Sequence, residues 1–177
     1  YDNKKWNLAV RVKPDDYPIA GNVVTSSNRT YTLEFYGVCH AFDTIENEFL
    51  LTASLSYDSG SSYLSNPKRF YAGAHVENFT GSILQNSDVK MGNFRFWMDY
   101  LDDSIIKQHN LDITNVGNYY SYRPSTIFAT DLTNKQVPSY DLLAVNWDFS
   151  IVTGSDASGK FIVDDVSSGS TNTVYGW

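Results

Sequence analysis

Two acidic residues, Glu46 and Glu48, form the closest glutamate pair in the chain. Paired carboxylates about 5–10 Å apart serve as acid and as nucleophile or base in glycoside hydrolysis. Their i, i+2 spacing would place both on one face of a strand. The stretch from Asp43 to Glu48, however, precedes an apolar strand pattern and itself predicts a loop. A glycoside hydrolase that uses Glu46 and Glu48 is therefore one alternative function.

The histidines and the single cysteine show no spacing typical of a zinc or catalytic site. Zinc sites draw on closely spaced pairs of ligands, whereas the histidines here are His40, His75 and His109. His75 follows a Gly-Ala step in a predicted strand, so we take it as a candidate ligand-binding residue. Cys39 excludes an internal disulfide because it has no second cysteine to pair with, and it predicts a small buried residue within a strand.

Calcium is the ion that the loops of this sequence favour. It takes hard oxygen ligands from the carboxylates and backbone carbonyls of loops. The sequence contains no Asp-x-Asp-x-Asp-Gly loop, so the acids would come from separate loops. The candidate calcium ligands are Asp43, Asp58 and Asp88. We expect no other cofactor.

Three tyrosines cluster in a connector that contains proline and shows little periodicity, namely Tyr119, Tyr120 and Tyr122. Exposed aromatic rings stack on the apolar faces of sugars, which makes these tyrosines candidate ligand-binding residues. The alternative is that they pack over the edge of a sheet or against a neighbouring subunit.

Composition limits the classes of partner. The chain has 177 residues, of which 42% are hydrophobic and only 19% charged, with a net charge of −7. A packed core is therefore available, and intrinsic disorder is disfavoured. A surplus of acidic residues argues against nucleic acid and anionic membranes as partners. No apolar run is long enough for a transmembrane helix. The start at Tyr1 and the aromatic end at Trp177 lead us to expect a piece of a longer polypeptide.

Apolar and polar residues alternate with a period of two through most of the chain, which predicts strands. The predicted strands are 6–12, 31–35, 49–57, 70–74, 79–84, 89–97, 142–151 and 160–166. The Asp-Ser-Gly-Ser-Ser cluster at 58–62 predicts a turn. Short strands separated by Gly, Ser and Asn turns indicate an all-β fold, an antiparallel β-sandwich.

One short helix interrupts the strands. Asp102 and Asp103 favour a helix start, and the helix is expected to end near Asn110. Four-residue spacing places three residues on one face, namely Leu101, Ile105 and His109.

The order of several segments resembles a known family. Residues 70–75 (FYAGAH), 79–82 (FTGS), 89–97 (VKMGNFRFW) and 101–109 (LDDSIIKQH) are similar to the C-terminal half of laminin-G/concanavalin A-like jelly-roll domains. The opening ten residues are similar to a Trp-containing strand in the middle of such domains. The strands that normally precede it are absent, so either a longer chain or the hairpin at 142–166 would supply them.

This resemblance covers residues 1 to about 115 and implies a division of the chain. We expect a laminin-G-like sandwich at 1–120, a Tyr/Pro connector at 121–140 and a hairpin segment at 141–177. That hairpin would complete the sandwich or open a next domain.

A second likeness bears on function. Residues 143–149 (LAVNWDF) and 167–170 (SSGS) are similar to segments of structural proteins in tailed phages and other virions. We therefore expect a non-catalytic structural or adhesion module of a larger assembly, located on a virion or an extracellular surface. Its partners would be neighbouring subunits and glycans. The alternatives are a free-standing carbohydrate-binding lectin module and the glycoside hydrolase above.

Overall fold

The computed structural model describes residues 4–17, 29–71, 74–79, 81–86, 89–98, 100–115, 143–155, 157 and 161–167. The strands are β1 (Trp6–Pro14), β2 (Tyr31–Ala41), β3 (Thr44–Leu55), β4 (Ala74–Val76), β5 (Ile83–Asn86), β6 (Asn93–Trp97), β7 (Leu143–Ser155) and β8 (Phe161–Asp165). The helices are α1 (Tyr57–Ser65) and α2 (Asp103–Leu111), with a short 3-10 helix at Glu77–Phe79. Every strand pairing among these residues is antiparallel, which confirms the all-β prediction.

The chain divides into two compact units whose sequence ranges alternate. The first comprises Tyr1–Pro67 and Asp99–Pro138, and the second comprises Lys68–Met98 and Ser139–Trp177. In the second unit β7, which belongs to the predicted hairpin segment, pairs with β6. The expected division into 1–120, 121–140 and 141–177 stays a prediction.

The first unit is built on a three-stranded sheet of order β1-β2-β3. β2 lies in the middle and contributes the most deeply buried residues of this sheet, Tyr36, Val38 and Cys39, each at most 1% exposed. Cys39 is a free cysteine, so the prediction of a buried strand residue is confirmed. A two-residue turn at positions 42–43 joins β2 to β3.

Helix α1 corrects the predicted turn at 58–62. The side chain of Ser56 caps the helix by accepting a hydrogen bond from the amide of Ser59 at 3.3 Å. Gly60 is buried in the helix, and a Cβ built on it would overlap the ring of Tyr31. The small residues of this segment therefore have two roles: Ser56 caps the helix, and Gly60 lets the helix lie close to Tyr31. The described residues therefore contain two α-helices, whereas the sequence predicted a single one.

Helix α2 confirms the predicted helix near 102–110. The side chain of Asp102 accepts a hydrogen bond from the amide of Ile105 at 3.0 Å and satisfies one of the free N–H groups of the first turn. The buried side chains of the helix are Ile106 and Asn110. The buried face of the helix is therefore shifted by one position from the predicted face, which contained Ile105 and His109. The pattern of apolar residues did not indicate this shift, because Asn110 is polar and yet buried.

The second unit contains the β4-β5 hairpin and the sheet β6-β7-β8. Aromatic rings pack along β6. The ring centroid of Phe70 lies 5.1 Å from that of Phe94 and 5.0 Å from that of Phe96, and the centroids of Phe94 and Trp147 are 5.1 Å apart. The predicted strand at 70–74 is displaced, because β4 begins at Ala74 and Phe70 lies outside any strand. The predicted strands at 142–151 and 160–166 correspond to β7 and β8.

Replacement of Gly60 by alanine tests the packing of α1. Helix propensity alone would make Gly60→Ala stabilising by up to about 1 kcal/mol. The new methyl group would overlap the Tyr31 ring, however, and this overlap makes the substitution destabilising. We expect the free energy of unfolding, measured in urea, to fall by about 1–3 kcal/mol. Ser61→Ala in the same helix serves as the control and should not destabilise. An increase in stability for Gly60→Ala would contradict this packing.

Candidate functional site

The β1-β2-β3 sheet has two chemically different faces, set by the strand register and the alternation of side chains. The first side, which we call the apolar face, carries Trp6, Leu8, Val10, Val12, Leu33, Phe35, Gly37, Cys39, Phe49, Leu51 and Ala53. The opposite side, which we call the polar face, carries Asn7, Ala9, Arg11, Lys13, Thr32, Glu34, Tyr36, Val38, Glu48, Leu50 and Thr52.

Helix α2 lies on the polar face. The side-chain amide of Asn7 donates a hydrogen bond to the carbonyl of Ile106 at 3.0 Å. In the opposite direction, the amide of Asn110 donates to the carbonyl of Val38 at 2.8 Å. The Lys5 ammonium also donates to the carbonyl of Asn110 at 2.7 Å. These hydrogen bonds hold α2 against the sheet.

A buried arginine is the centre of the polar face. Arg11 and Glu34 are direct cross-strand partners, with their charged groups 2.7 Å apart and both side chains at most 7% exposed. The Arg11 guanidinium also lies 2.6 Å from the carboxylate of Asp103 and donates to the carbonyl of Leu101 at 3.0 Å. Arg11 therefore joins β1, β2 and the start of α2.

Aromatic rings enclose this arginine. The guanidinium of Arg11 lies 5.0 Å from the ring centre of Tyr36 and 4.9 Å from that of Tyr100. The Tyr100 hydroxyl donates to Glu34 at 2.9 Å, and Lys13 lies 3.3 Å from the same carboxylate. Burial and the hydrogen bond to Glu34 raise the pKa of Tyr100, so its hydroxyl remains a donor.

The second cluster on the polar face involves Glu48. Its carboxylate accepts hydrogen bonds from the Tyr36 hydroxyl at 2.7 Å and from the Lys107 ammonium at 2.8 Å. The hydrogen bonds from Lys107 and Tyr36 lower the pKa of Glu48. Burial and the hydrogen bond to Glu48 raise the pKa of Tyr36 above its ordinary value. This cluster gives α2 a second attachment to the sheet.

The two glutamates of the hydrolase alternative do not share a face. Both lie in β3 and not in a loop, but a β-bulge interrupts the pairing between Asn47↔Cys39 and Ile45↔His40. Glu46 pairs with Lys4, and its Oε2 lies 4.0 Å from the Sγ of Cys39, on the apolar-face side. Glu48 contacts the polar face. The extra residue of the bulge therefore defeats the i, i+2 argument.

The apolar face is exposed. Leu8 is 57% exposed, Val10 62%, Phe35 38% and Leu51 62%. The ring of Phe49 lies over Gly37, where a Cβ would overlap it, and contacts the rings of Trp6 and Phe35 at centroid distances of 5.8 and 5.3 Å. Contiguous exposed apolar surface of this kind marks interaction sites. We take the apolar face as the candidate functional site.

The turn between β2 and β3 adds a fully exposed aromatic ring. Phe42 is 99% exposed and has φ of 58°. A bulky residue in this left-handed region is strained, and such strain concentrates at functional positions. Phe42 was not predicted from the sequence, because the segment Ala-Phe-Asp-Thr carries none of the Asn-Gly or Gly signals of a two-residue hairpin turn.

The candidate calcium ligands do not converge within the described residues. Asp43 lies in the turn before β3, whereas Asp58 lies in the first turn of α1 after β3. A twelve-residue strand separates them by roughly 35 Å, so one ion cannot bind to both. Asp88 lies outside the described residues. Among those that are described, no group of three or more His, Cys, Asp or Glu residues is placed to hold a metal ion.

Of the four candidate ligand-binding residues, His75 is the one that the structure describes. His75 is exposed in β4, and its ring packs edge-on against that of Tyr71 at 4.8 Å. Tyr119, Tyr120 and Tyr122 lie outside the described residues. Within the described part of the chain, no helix has the length and hydrophobicity to span a membrane.

No family model matches the chain, and neither the curated proteins nor the solved structures contain a match.

Removal of the buried arginine tests its role in holding the polar face. Arg11→Met leaves Glu34 buried with only Lys13 as a cation, and we expect a loss of about 3 kcal/mol in unfolding free energy. The double variant Arg11→Met/Glu34→Leu removes both buried charges and should recover most of that loss. Equal losses in the single and double variants would show that packing, and not the unpaired charge, is responsible.

The lowered pKa of Glu48 predicts a pH dependence of stability. A carboxyl group whose pKa is lowered by folding stabilises the fold at pH values above 4.5, its ordinary pKa. This contribution to stability disappears as the pH falls through the lowered pKa. Glu48→Gln should therefore reduce stability by about 0.5–1 kcal/mol at pH 7, since the pair is partly exposed. It should also unfold with a shallower acid dependence. Lys107→Met should make the slope shallower to a smaller extent, because Tyr36 still donates to Glu48. Identical slopes in wild type and both variants would refute this assignment.

Proposed function

We propose that this chain is a non-catalytic structural or adhesion module of a larger assembly, and that neighbouring protein subunits cover its apolar face. The observation that carries the proposal is the exposure of four large apolar side chains on one sheet face, namely Leu8, Val10, Phe35 and Leu51. Burial of such side chains contributes about 25 cal/mol per Å² of apolar surface. A second protein surface supplies that burial in an assembly.

The polar face supports the non-catalytic part of the proposal. Its carboxylates are Glu34, which is buried, and Glu48, which is partly exposed, and each is bound to a cation and a tyrosine hydroxyl. The ion pairs of Lys107 with Glu48 and of Asp103 with Arg11 attach α2 to the sheet. The acidic groups of this face therefore serve the fold.

The strained turn supports an interface role as well. Phe42 extends fully into solvent at the end of the β2–β3 hairpin, despite the cost of its positive φ. An aromatic side chain at a protruding turn gives a partner a large apolar anchor, and interfaces are enriched in such anchors.

The resemblance to laminin-G/concanavalin A-like domains and to segments of phage and virion proteins suggests where such a module acts. We propose that the sheets belong to a jelly-roll sandwich and that the assembly is the surface of a virion or phage particle. The antiparallel sheets of both units agree with this class of fold.

Footprinting of the native assembly tests the proposal. Hydroxyl radicals label exposed side chains, so Leu8, Val10, Phe35 and Leu51 should be labelled in the isolated chain. In the intact particle the same side chains should be protected, because a neighbouring subunit covers them. Equal labelling of the apolar face in the two samples would overturn the proposed interface.

A matched pair of variants separates interface from fold. Val10→Lys places a charge on the apolar face and should reduce incorporation into the assembly at least tenfold, about 1.4 kcal/mol. Leu64→Lys places the same charge on α1, where Leu64 is 52% exposed, and should leave incorporation unchanged. Both variants should unfold at the wild-type urea concentration, since both sites are exposed. Equal incorporation of the two variants would contradict the assignment of the interface to the apolar face.

A further inference from the structure

We propose that two copies of this chain pair through the outer edge of β3, so that a two-fold axis at Leu50 joins two three-stranded sheets into one of six strands. This inference rests on the proposed assembly function and names one partner in that assembly, a second copy of the chain. The order of strands across the interface would be β1-β2-β3-β3-β2-β1.

β3 has the properties of an edge that accepts another strand. It is the last strand of its sheet among the described residues, and all of its twelve residues except Phe49 and Leu55 are exposed. The exposed residues include Leu50, which is 46% exposed, and Leu51. An exposed edge presents a row of backbone N–H and C=O groups that another strand can pair with.

Protection of this edge is confined to one end. The β-bulge and the charges of Glu46 and Glu48 lie in the first five residues of β3, and Lys4 and Lys107 already pair with those charges. From Phe49 to Leu55 the strand contains no charge and no proline. The opposite edge strand, β1, carries Arg11 and Lys13 and ends at Pro14, features that discourage strand addition.

The side chains select the register. In an antiparallel pair about a two-fold axis, residues at equal distances from the axis face each other. An axis at Leu50 sets Leu50 against its own copy and Phe49 against Leu51. It also sets Glu48 against Thr52, so that this carboxylate faces a hydroxyl group. Apolar residues form the centre of the pair, and the charges lie toward its ends.

Registers shifted toward the start of β3 are unfavourable. An axis at Glu48 sets the two copies of that carboxylate against each other. Like charges in directly opposed positions destabilise a strand pair. An axis at Phe49 would set Glu48 against Leu50. Leu50 is also next to the midpoint of Thr44–Leu55, which gives nearly the longest overlap.

Pairing in this register also makes the apolar faces continuous. Phe49 and Leu51 belong to the apolar face. Across the junction, Phe49 of one copy faces Leu51 of the other copy, and Leu51 faces Phe49. The two apolar faces therefore lie on the same side of the six-stranded sheet. One surface of twice the size is then offered to the neighbouring subunits of the assembly.

A charge-exchange experiment tests the partner and the register together. The purified chain, of 20.0 kDa, should sediment as a dimer in a concentration series. Leu50→Lys and Leu50→Glu should each weaken the dimer at least about tenfold, because each sets like charges against each other at the axis. An equimolar mixture of the two variants should restore a dimer, since opposite charges then face each other. Failure of the mixture to associate while the wild type dimerises would overturn the register.

Cysteine cross-linking provides a second, independent measurement. In the proposed register Leu50→Cys brings two sulfurs together, since opposed Cβ atoms lie about 5 Å apart, and mild oxidation should give a covalent dimer. Ala53→Cys is the matched control on the same strand, because its two copies would lie roughly 20 Å apart. Cys39 is buried and does not compete. Equal cross-linking of both variants would refute the pairing.

The two proposals fail separately. A wild-type chain that remains monomeric at all concentrations overturns the β3 dimer, whereas protection of the apolar face in the native particle is measured independently. Val10→Lys lies on the apolar face but away from the β3 edge, so it should leave the dimer intact while it reduces incorporation into the assembly. A loss of the dimer in Val10→Lys would contradict pairing through β3.

Discussion

The buried ion pair between Arg11 and Glu34 is the interaction on which the first unit depends. Two charges at most 7% exposed lie between a sheet and a helix, and each must be paired to offset the cost of leaving water. Arg11 meets that requirement through Glu34, Asp103 and the carbonyl of Leu101. These contacts fix the start of α2 over β1 and β2, and Glu48 with Lys107 attaches the helix farther along.

Placement of the helix on the polar face determines what the other face can do. Because α2 engages the side with Asn7, Arg11 and Val38, Leu8, Val10 and the other large side chains of the apolar face remain accessible. An amphipathic sheet ordinarily buries its apolar side. The reversal here concentrates hydrophobic surface where another molecule can reach it, and the exposed edge of β3 adjoins that same surface. The proposed interface and the fold therefore have the same physical origin, the docking of α2 on the polar face.

Local chemistry accounts for the elements that the sequence predicted well. Period-two alternation sufficed for β1, β2 and β7, and the carboxylate of Asp102 sufficed for the start of α2, since a cap acts within one turn. Helix α1 was missed because Gly and Ser at 58–62 ordinarily mark turns. Gly60 of this helix packs closely against Tyr31, which lies in β2 and is remote in sequence. The β-bulge at Glu46 was likewise invisible to a pattern that assumes strict alternation.

The sequence by itself determined the class of fold, the position of α2 and the burial of Cys39, because periodicity, capping and residue size act over a few neighbouring positions. Tertiary structure decided which face of the sheet is covered. Alternation separates Arg11 and Glu34 from Val10 and Phe35, but only the docking of α2 and its hydrogen bonds assigned the charged side to the interior. The bulge decided that Glu46 and Glu48 diverge, since one extra residue reverses the alternation of a strand.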